Sequence, residues 1–468
     1  MQLFVAALRK LSFLFVILFC SRISFAQDFV LSGTVVTPDR VLAKGWVVVK
    51  DGHILSILEK APDDAKGPKV ETNGIIFPGF VDLHDHPMYN IFKRWSPKVK
   101  FRNRYEWRNL VDYYKAVGRP GGELQVKDDN DKNDQKFCDI DEYVELKALI
   151  GGTTSITGIS GRSQTPPVPG CILGLARNLD WASGFYGSGA GNERVENALG
   201  VTPGDLHEDV LKKILGELSG NKIDLLLVHV AEGAPDDLES SVEFRALKGA
   251  GLLGPHTAII HGVALGPDQF KEMADKGTAL IWSPRSNFEL YGFTADVANA
   301  KKANVSIALA PDWSPTGSTN SLAELRYAKQ VSHEKLADLF SDKDLFEMST
   351  LIPARIARID DKVGSVKKDL YADLFVLAGD GTQPYAALTR AKPEDVELVL
   401  VGGVPIYGSE KLMNSFAAKT EEVDVCGTKM YLNAGALVDR PLGGVTMRLV
   451  DDLKHYNLDL GPLVECTK

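Results

Sequence analysis

Four apolar runs along the chain each close on a residue type that binds metals. Asn73 to Asn90, NGIIFPGFVDLHDHPMYN, passes through Pro78 and Gly79 and ends in His84, Asp85 and His86. Leu225 to Glu232, LLLVHVAE, ends in His229 with Glu232 three residues beyond. Thr257 to Gly262, TAIIHG, ends in His261, and Val305 to Trp313, VSIALAPDW, ends in Asp312. Each run has strand length and apolar or β-branched content, and so predicts a buried strand. Residues i and i+2 of a strand point to the same face, which lets His84 and His86 bind one ion from adjacent rungs. Strands that deliver their chemistry at their C-terminal ends describe an α/β protein built on a TIM-like (β/α)8 barrel.

The intervening pattern fills in other elements. Trp46 to Val49 and His53 to Leu58 flank Asp51-Gly52, a dipeptide that favours a tight hairpin. Asp141 to Ile150 has helical spacing, is stopped by Gly151-Gly152, and leads into a second barrel strand over Thr153 to Ile159. The third and fourth strands are expected within Cys171 to Gly200. Thr202 to Gly216 predicts a helix, with Thr202 as N-cap and Pro203 at its first position. An insertion, Phe92 to Arg108, mixes Arg94, Arg102, Arg104 and Arg108 with Trp95, Tyr105 and Trp107. It is expected to cover the barrel mouth with its arginine heads in solvent. Stacking on a flat ring or holding an anion is its alternative use. Lys127 to Lys136, KDDNDKNDQK, is polar and turn-rich, and predicts a surface loop.

Met1 to Ala26 reads as a signal peptide: Arg9 and Lys10 precede an apolar core from Leu11 to Phe19, and Ser24-Phe25-Ala26 offers a cleavage site before Gln27. A lipoprotein reading through Cys20 is weaker, because Phe19 is bulky where a small residue is wanted. No later stretch is apolar enough to span a bilayer, so the mature chain is expected to be exported, periplasmic or secreted. Removing the segment takes away Arg9, Lys10 and Arg22 and no acid, moving the formal charge from -9 to -12. An acidic surface argues against nucleic acid as a partner. Cys138, Cys171, Cys426 and Cys466 remain, an even number suited to an oxidising compartment. Cys138 with Cys171 and Cys426 with Cys466 is the simplest pairing, each closing a loop within one region; four buried thiols are the alternative.

In order along the chain, these motifs resemble the amidohydrolase superfamily, in its mononuclear metal-dependent deaminase branch of cytosine, guanine and S-adenosylhomocysteine deaminases and triazine hydrolases. PGFVDLHDH resembles the first-strand signature, HVAE the fifth-strand His-x-x-Glu, and IIHG the sixth-strand histidine. SPRSN resembles the seventh-strand segment, and PDWSPTGSTNSLAELRYA the eighth-strand aspartate with its helix. The resemblance implies a barrel over residues 76–362 and a small composite β-sandwich domain from both chain ends, residues 27–75 and 363–410. A tail follows, residues 411–468. The chain departs from the pattern at Leu370-Tyr371, where Gly-Lys is usual, at Ser283, where cysteine is usual, and at Trp313, where a small residue is usual.

Carried onto this sequence, the resemblance implies one divalent metal ion, zinc or else iron, held by His84, His86, His229 and Asp312. A bridging lysine of two-metal relatives has no counterpart, since no lysine lies between Lys147 and Lys212. Asp312 would also orient and deprotonate a water, Glu232 would carry a proton to a ring nitrogen, and His261 would donate to the developing oxyanion. The implied activity is hydrolysis of a C–N bond of a small heterocycle, by deamination. An amide or lactam hydrolase of peptidase-like kind on the same barrel, and a non-catalytic metal-binding protein, are the alternatives. His53, His207, His256, His333 and His455 match no site motif and are expected to be structural. A homo-oligomer is left open.

Overall fold

A computed structural model describes residues 27–63, 66–125, 135–158, 175–180, 195–198, 208–436 and 440–466. Met1 to Ala26, expected to be a signal peptide, lies outside these residues, as do His207, Cys171 and nearly all of the polar loop from Lys127. Among the described residues no helix is long and apolar enough to cross a membrane.

The chain opens with four strands, β1 (Phe29–Val36), β2 (Val41–Lys50), β3 (His53–Leu58) and β4 (Lys69–Pro78). The expected hairpin joins β2 to β3, and Asp51 and Gly52 take φ of 49° and 77°, the two left-handed residues that such a turn requires. Pro78 and Gly79 then carry the chain from β4 into β5 (Phe80–Asp82). A side chain cannot be added at this crossing, because a Cβ on Gly79 would lie 2.0 Å from the Thr154 hydroxyl oxygen.

The central strands run parallel. β5, β6 (Thr153–Ile156) and β7 (Arg177–Asn178) form one sheet. β8 (Val195–Ala198), β9 (Leu225–Val230), β10 (Thr257–His261), β11 (Ala279–Trp282) and β12 (Ile307–Leu309) form another, paired in sequence order. β9 and β10 are buried at every position, which is why they read as continuous apolar runs rather than alternating ones. The two sheets meet at a parallel bridge between Asp85 and Asp312.

Later strands return to the first sheet. β13 (Leu374–Leu377) pairs with β4, and β14 (Val396–Val401) and β15 (Val404–Gly408) form a hairpin around Gly402 and Gly403. β16 (Thr420–Val425) and β17 (Thr428–Asn433) complete a nine-stranded sheet drawn from both parts of the chain. The tail is not a loose appendage. Its helix Leu442–Lys454 buries Val445, Leu449 and Leu453, and Arg448 and Arg440 pair with buried Asp139 on the helix Gln135–Ile150. Cys426 and Cys466 form a disulfide with Cα atoms 5.4 Å apart. Cys138 is also disulfide-bonded.

Candidate metal centre

The exits of β5, β9, β10 and β12 converge. Past β5, the His84 amide donates to Asp82 Oδ1 at 3.0 Å. The His84 carbonyl accepts from the Asp312 amide at 3.0 Å, and the His86 amide donates to the Asp312 carbonyl at 2.7 Å. This short ladder fixes both histidines against the aspartate. Ring centroids of His84 lie 5.0 Å from His86, 4.9 Å from His229 and 5.2 Å from His261. Asp312 Oδ1 stands 3.1 Å from His84 Nε2 and 3.6 Å from His86 Nε2. Glu232 Oε1 stands 3.8 Å from His261 Nε2.

All six residues singled out in the sequence therefore share one site. Three overlapping groups, His84 with His86 and His229, His84 with His261 and Asp312, and His229 with Glu232 and His261, each bring their ligand atoms within 4.8 Å of one another. Most are buried, whereas the His86 side chain keeps 30% of its exposure and is the ring open to approach. Burial pushes His84 down to about 4 and His229 well below its ordinary value, so both present neutral lone pairs. Burial opposes ionisation of Asp312, but His84, His261 and His86 outweigh it and hold the carboxyl below the ordinary carboxylate range. His84 Nε2, though near Asp312, is out of line for a hydrogen bond and has no such partner. A buried neutral imidazole nitrogen left in that state, beside a carboxylate, fits a divalent cation.

Backbone geometry explains how neighbouring strands aim at one point. Ile260 is the cross-strand neighbour of His229 and shares its face, so an extended His261 would point away. His261 instead takes φ of 69°, as does Asp312, and Ala231 takes 58°. Left-handed conformations at non-glycine residues cost energy and concentrate at functional sites.

Further residues around the cluster could not be picked from single motifs. His261 Nδ1 is 2.9 Å from Asn287 Oδ1, while Asn287 Nδ2 donates to Thr294 Oγ1 at 3.2 Å. The amide orientation thus makes Nδ1 the donor and turns Nε2 toward the cluster. Tyr291 lies four residues after Asn287 on the helix Pro284–Tyr291, hence on the same face. Its hydroxyl donates to Glu232 Oε1 at 2.6 Å and accepts from Trp107 Nε1 at 2.9 Å. The i+4 spacing was the available signal for Tyr291; nothing in the sequence pointed to Trp107 as its donor.

The insertion departs from expectation at two arginines, Arg94 and Arg104. Arg94 keeps 24% of its side-chain exposure and pairs with Glu465. Arg104 does not reach solvent: it is buried, pairs with Glu243 Oε1 at 3.1 Å, and sits beside Tyr105, whose hydroxyl donates to the same oxygen at 2.7 Å. Glu243 Oε2 in turn accepts from the Ala231 amide at 2.7 Å. Arg102 and Arg108 do face solvent, and Trp95, Trp107 and Trp313 pack together over the cluster. Asp85, between the two histidines, accepts instead from Asn90, whose Oδ1 takes the Ser314 amide at 2.6 Å. Buried Lys147 donates to the Asn90 carbonyl and to Ser314 Oγ, so a polar network backs the Asp312 loop.

Parallel strands whose exits gather histidines and carboxylates define a class of hydrolase, and comparison identifies it. Residues 222–406 match the amidohydrolase family, and the chain is a hydrolase of the kind that acts on carbon–nitrogen bonds other than peptide bonds. Over 351 residues it is 22% identical to a 5-methylthioadenosine/S-adenosylhomocysteine deaminase of Clostridium tetani, covering 72% of this chain and 81% of that protein. A 5'-deoxyadenosine deaminase of Methanosarcina barkeri is 21% identical over 408 residues, covering 80% of this chain and 90% of that one. Among solved structures, a zinc-bound adenosine deaminase from Xanthomonas campestris aligns with a TM-score of 0.68 at 17% identity, over 92% of this chain and 99% of that one.

Proposed function

We propose that this chain is a zinc-dependent deaminase of a small nitrogen heterocycle, in which water replaces an exocyclic amino group and ammonia leaves. The observation that carries the reading is the convergence of His84, His86, His229 and Asp312, with His84 Nε2 buried and without a hydrogen-bond partner. These four residues would hold one ion. Bound there, zinc would supply a water whose pKa falls from about 15.7 to near 7. Asp312 would orient a water at the site and take up its proton. Glu232, held by Tyr291, passes a proton to the ring nitrogen beside the attacked carbon, and His261, its Nδ1 held by Asn287, turns Nε2 toward the oxygen on which charge develops and donates to it when Nε2 also carries a proton. Trp107 and Trp313 wall the approach with apolar surface suited to a flat ring. Because the relatives above are named for adenine nucleosides, a 6-aminopurine is the first substrate to try.

The same reading extends to architecture. The eight parallel strands β5 to β12 would form one (β/α)8 barrel over residues 76–362, closed between β12 and β5 by the Asp85–Asp312 bridge. The nine-stranded sheet would be the composite β-sandwich domain expected from residues 27–75 and 363–410, extended by β16 and β17, so that the first part of the tail belongs to it. Export after cleavage near Ala26 is part of the proposal and is supported by the Cys426–Cys466 disulfide.

The test is elemental analysis of protein purified without chelators, combined with an ammonia-release screen over adenine nucleosides, other purines, pyrimidines and triazines. About one zinc per chain with ammonia release is expected. Two metal equivalents with amine release from N-acyl amino acids would replace this reading with an amide hydrolase. Metal-free, inactive protein would leave a binding protein.

A further inference from the structure

The end of the tail reaches the loop that carries Asp312. Glu465 adjoins Cys466, which the disulfide ties to Cys426 in the turn between β16 and β17. Glu465 Oε1 accepts from Arg94 Nη2 at 2.8 Å, and Oε2 accepts from Arg285 Nη1 at 2.9 Å. The same two arginines grip the loop after Asp312. Arg94 donates to the Gly317 carbonyl at 2.9 Å and to the Thr316 carbonyl at 3.4 Å, and Arg285 lies 3.5 Å from Ser318 Oγ.

That loop has little slack. The Ser318 amide donates to the Pro311 carbonyl at 3.0 Å and the Gly317 amide to the Trp313 carbonyl at 2.7 Å. A Cβ on Gly317 would lie only 2.1 Å from the Pro311 oxygen. Displacement at residues 316–318 is therefore passed to Pro311 and Asp312 rather than absorbed. Glu465 is also the only anion that either arginine pairs with among the ion pairs of the described residues. Both guanidinium side chains are 24% exposed, so without it two poorly hydrated cations would face each other. Burial works against the Glu465 carboxyl, yet Arg94 and Arg285 hold it below the ordinary carboxylate range.

We propose that Glu465 is a positioning residue for Asp312, held in place by the Cys426–Cys466 disulfide, so that retention of the ion depends on an oxidised tail. This rests on the metal reading above. Its first test does not: hydrogen exchange in metal-free protein, read at the amides of Ser314, Gly317 and Ser318. Glu465→Gln, and separately Cys426→Ser with Cys466→Ser, are expected to speed exchange there by about tenfold or more, the effect of losing a charge-assisted hydrogen bond. Zinc titration should then show a weaker dissociation constant by a similar factor in both variants. Asp459→Asn, which removes the exposed tail pair with Lys93, serves as control and should leave both readouts unchanged. Wild-type protein that binds no zinc, with exchange accelerated as expected, would sink the metal reading and leave the brace standing. Unchanged exchange in both test variants would overturn the proposal whatever the zinc result. An Asp459→Asn effect as large as that of Glu465→Gln would overturn it too, by assigning the effect to tail docking in general.

Discussion

Glu232 can be read in two ways from its contacts. Its Oε1 accepts from Tyr291 at 2.6 Å and lies 3.8 Å from His261 Nε2, and it also falls in a potential ligand group with His229 and His261. An acid/base residue and a ligand respond differently to amide substitution. Glu232→Gln is expected to retain zinc by elemental analysis and to lose about 10²- to 10⁴-fold in turnover on whichever substrate the screen returns. Loss of zinc with the activity would make Glu232 a ligand instead. Tyr291→Phe deletes the donor to Glu232 and strands the Trp107 N–H, so it should cost about 1 to 3 kcal/mol in denaturant unfolding. At this scale the sequence was legible where one residue type closes a strand, as with His84, His229 and Asp312. It was silent where a role depends on a partner far along the chain, as for Tyr291 with Trp107, or on backbone strain, as for φ of 69° at His261.

Strands and hairpins followed from local pattern. The insertion did not, because its order comes from what it meets. Asn103 and Arg104 dock on the β9 exit: the Arg104 amide donates to the Glu232 carbonyl at 3.2 Å, and the guanidinium neutralises Glu243 in the helix Leu238–Gly249. Seen in sequence, Arg104 is one of several arginines among aromatics; only the buried acid 139 residues later distinguishes it. Removing one partner of a buried pair leaves the other charge uncompensated. Arg104→Ala should therefore destabilise by about 3 kcal/mol or more, against a change within about 0.5 kcal/mol for exposed Arg108→Ala, both read by denaturant unfolding. Equal effects would mean that the Arg104 pair contributes nothing beyond surface packing.

Across the whole molecule, the contacts that complete the site are long in sequence. Trp107 to Tyr291 spans 184 residues, Ser314 to Asn90 224, and Arg94 to Glu465 371. This is also why the tail was only partly legible in sequence: the Cys426–Cys466 pairing was expected, but Glu465 lies in a stretch without site motifs, and its use is set by Arg94 and Arg285. The same distances bear on assembly in time. Helices such as Gln135–Ile150 need only local contacts and can form early, whereas closing loops of this length is entropically costly and slow. A refolding chain should regain far-ultraviolet ellipticity before it can capture zinc, and the lag between the two signals should not shrink when zinc is raised. If zinc capture kept pace with ellipticity, the four residues proposed to hold the ion would have to meet before the sheets close. The β5–β12 junction at Asp85 and Asp312 would then be the nucleus of folding rather than its last step.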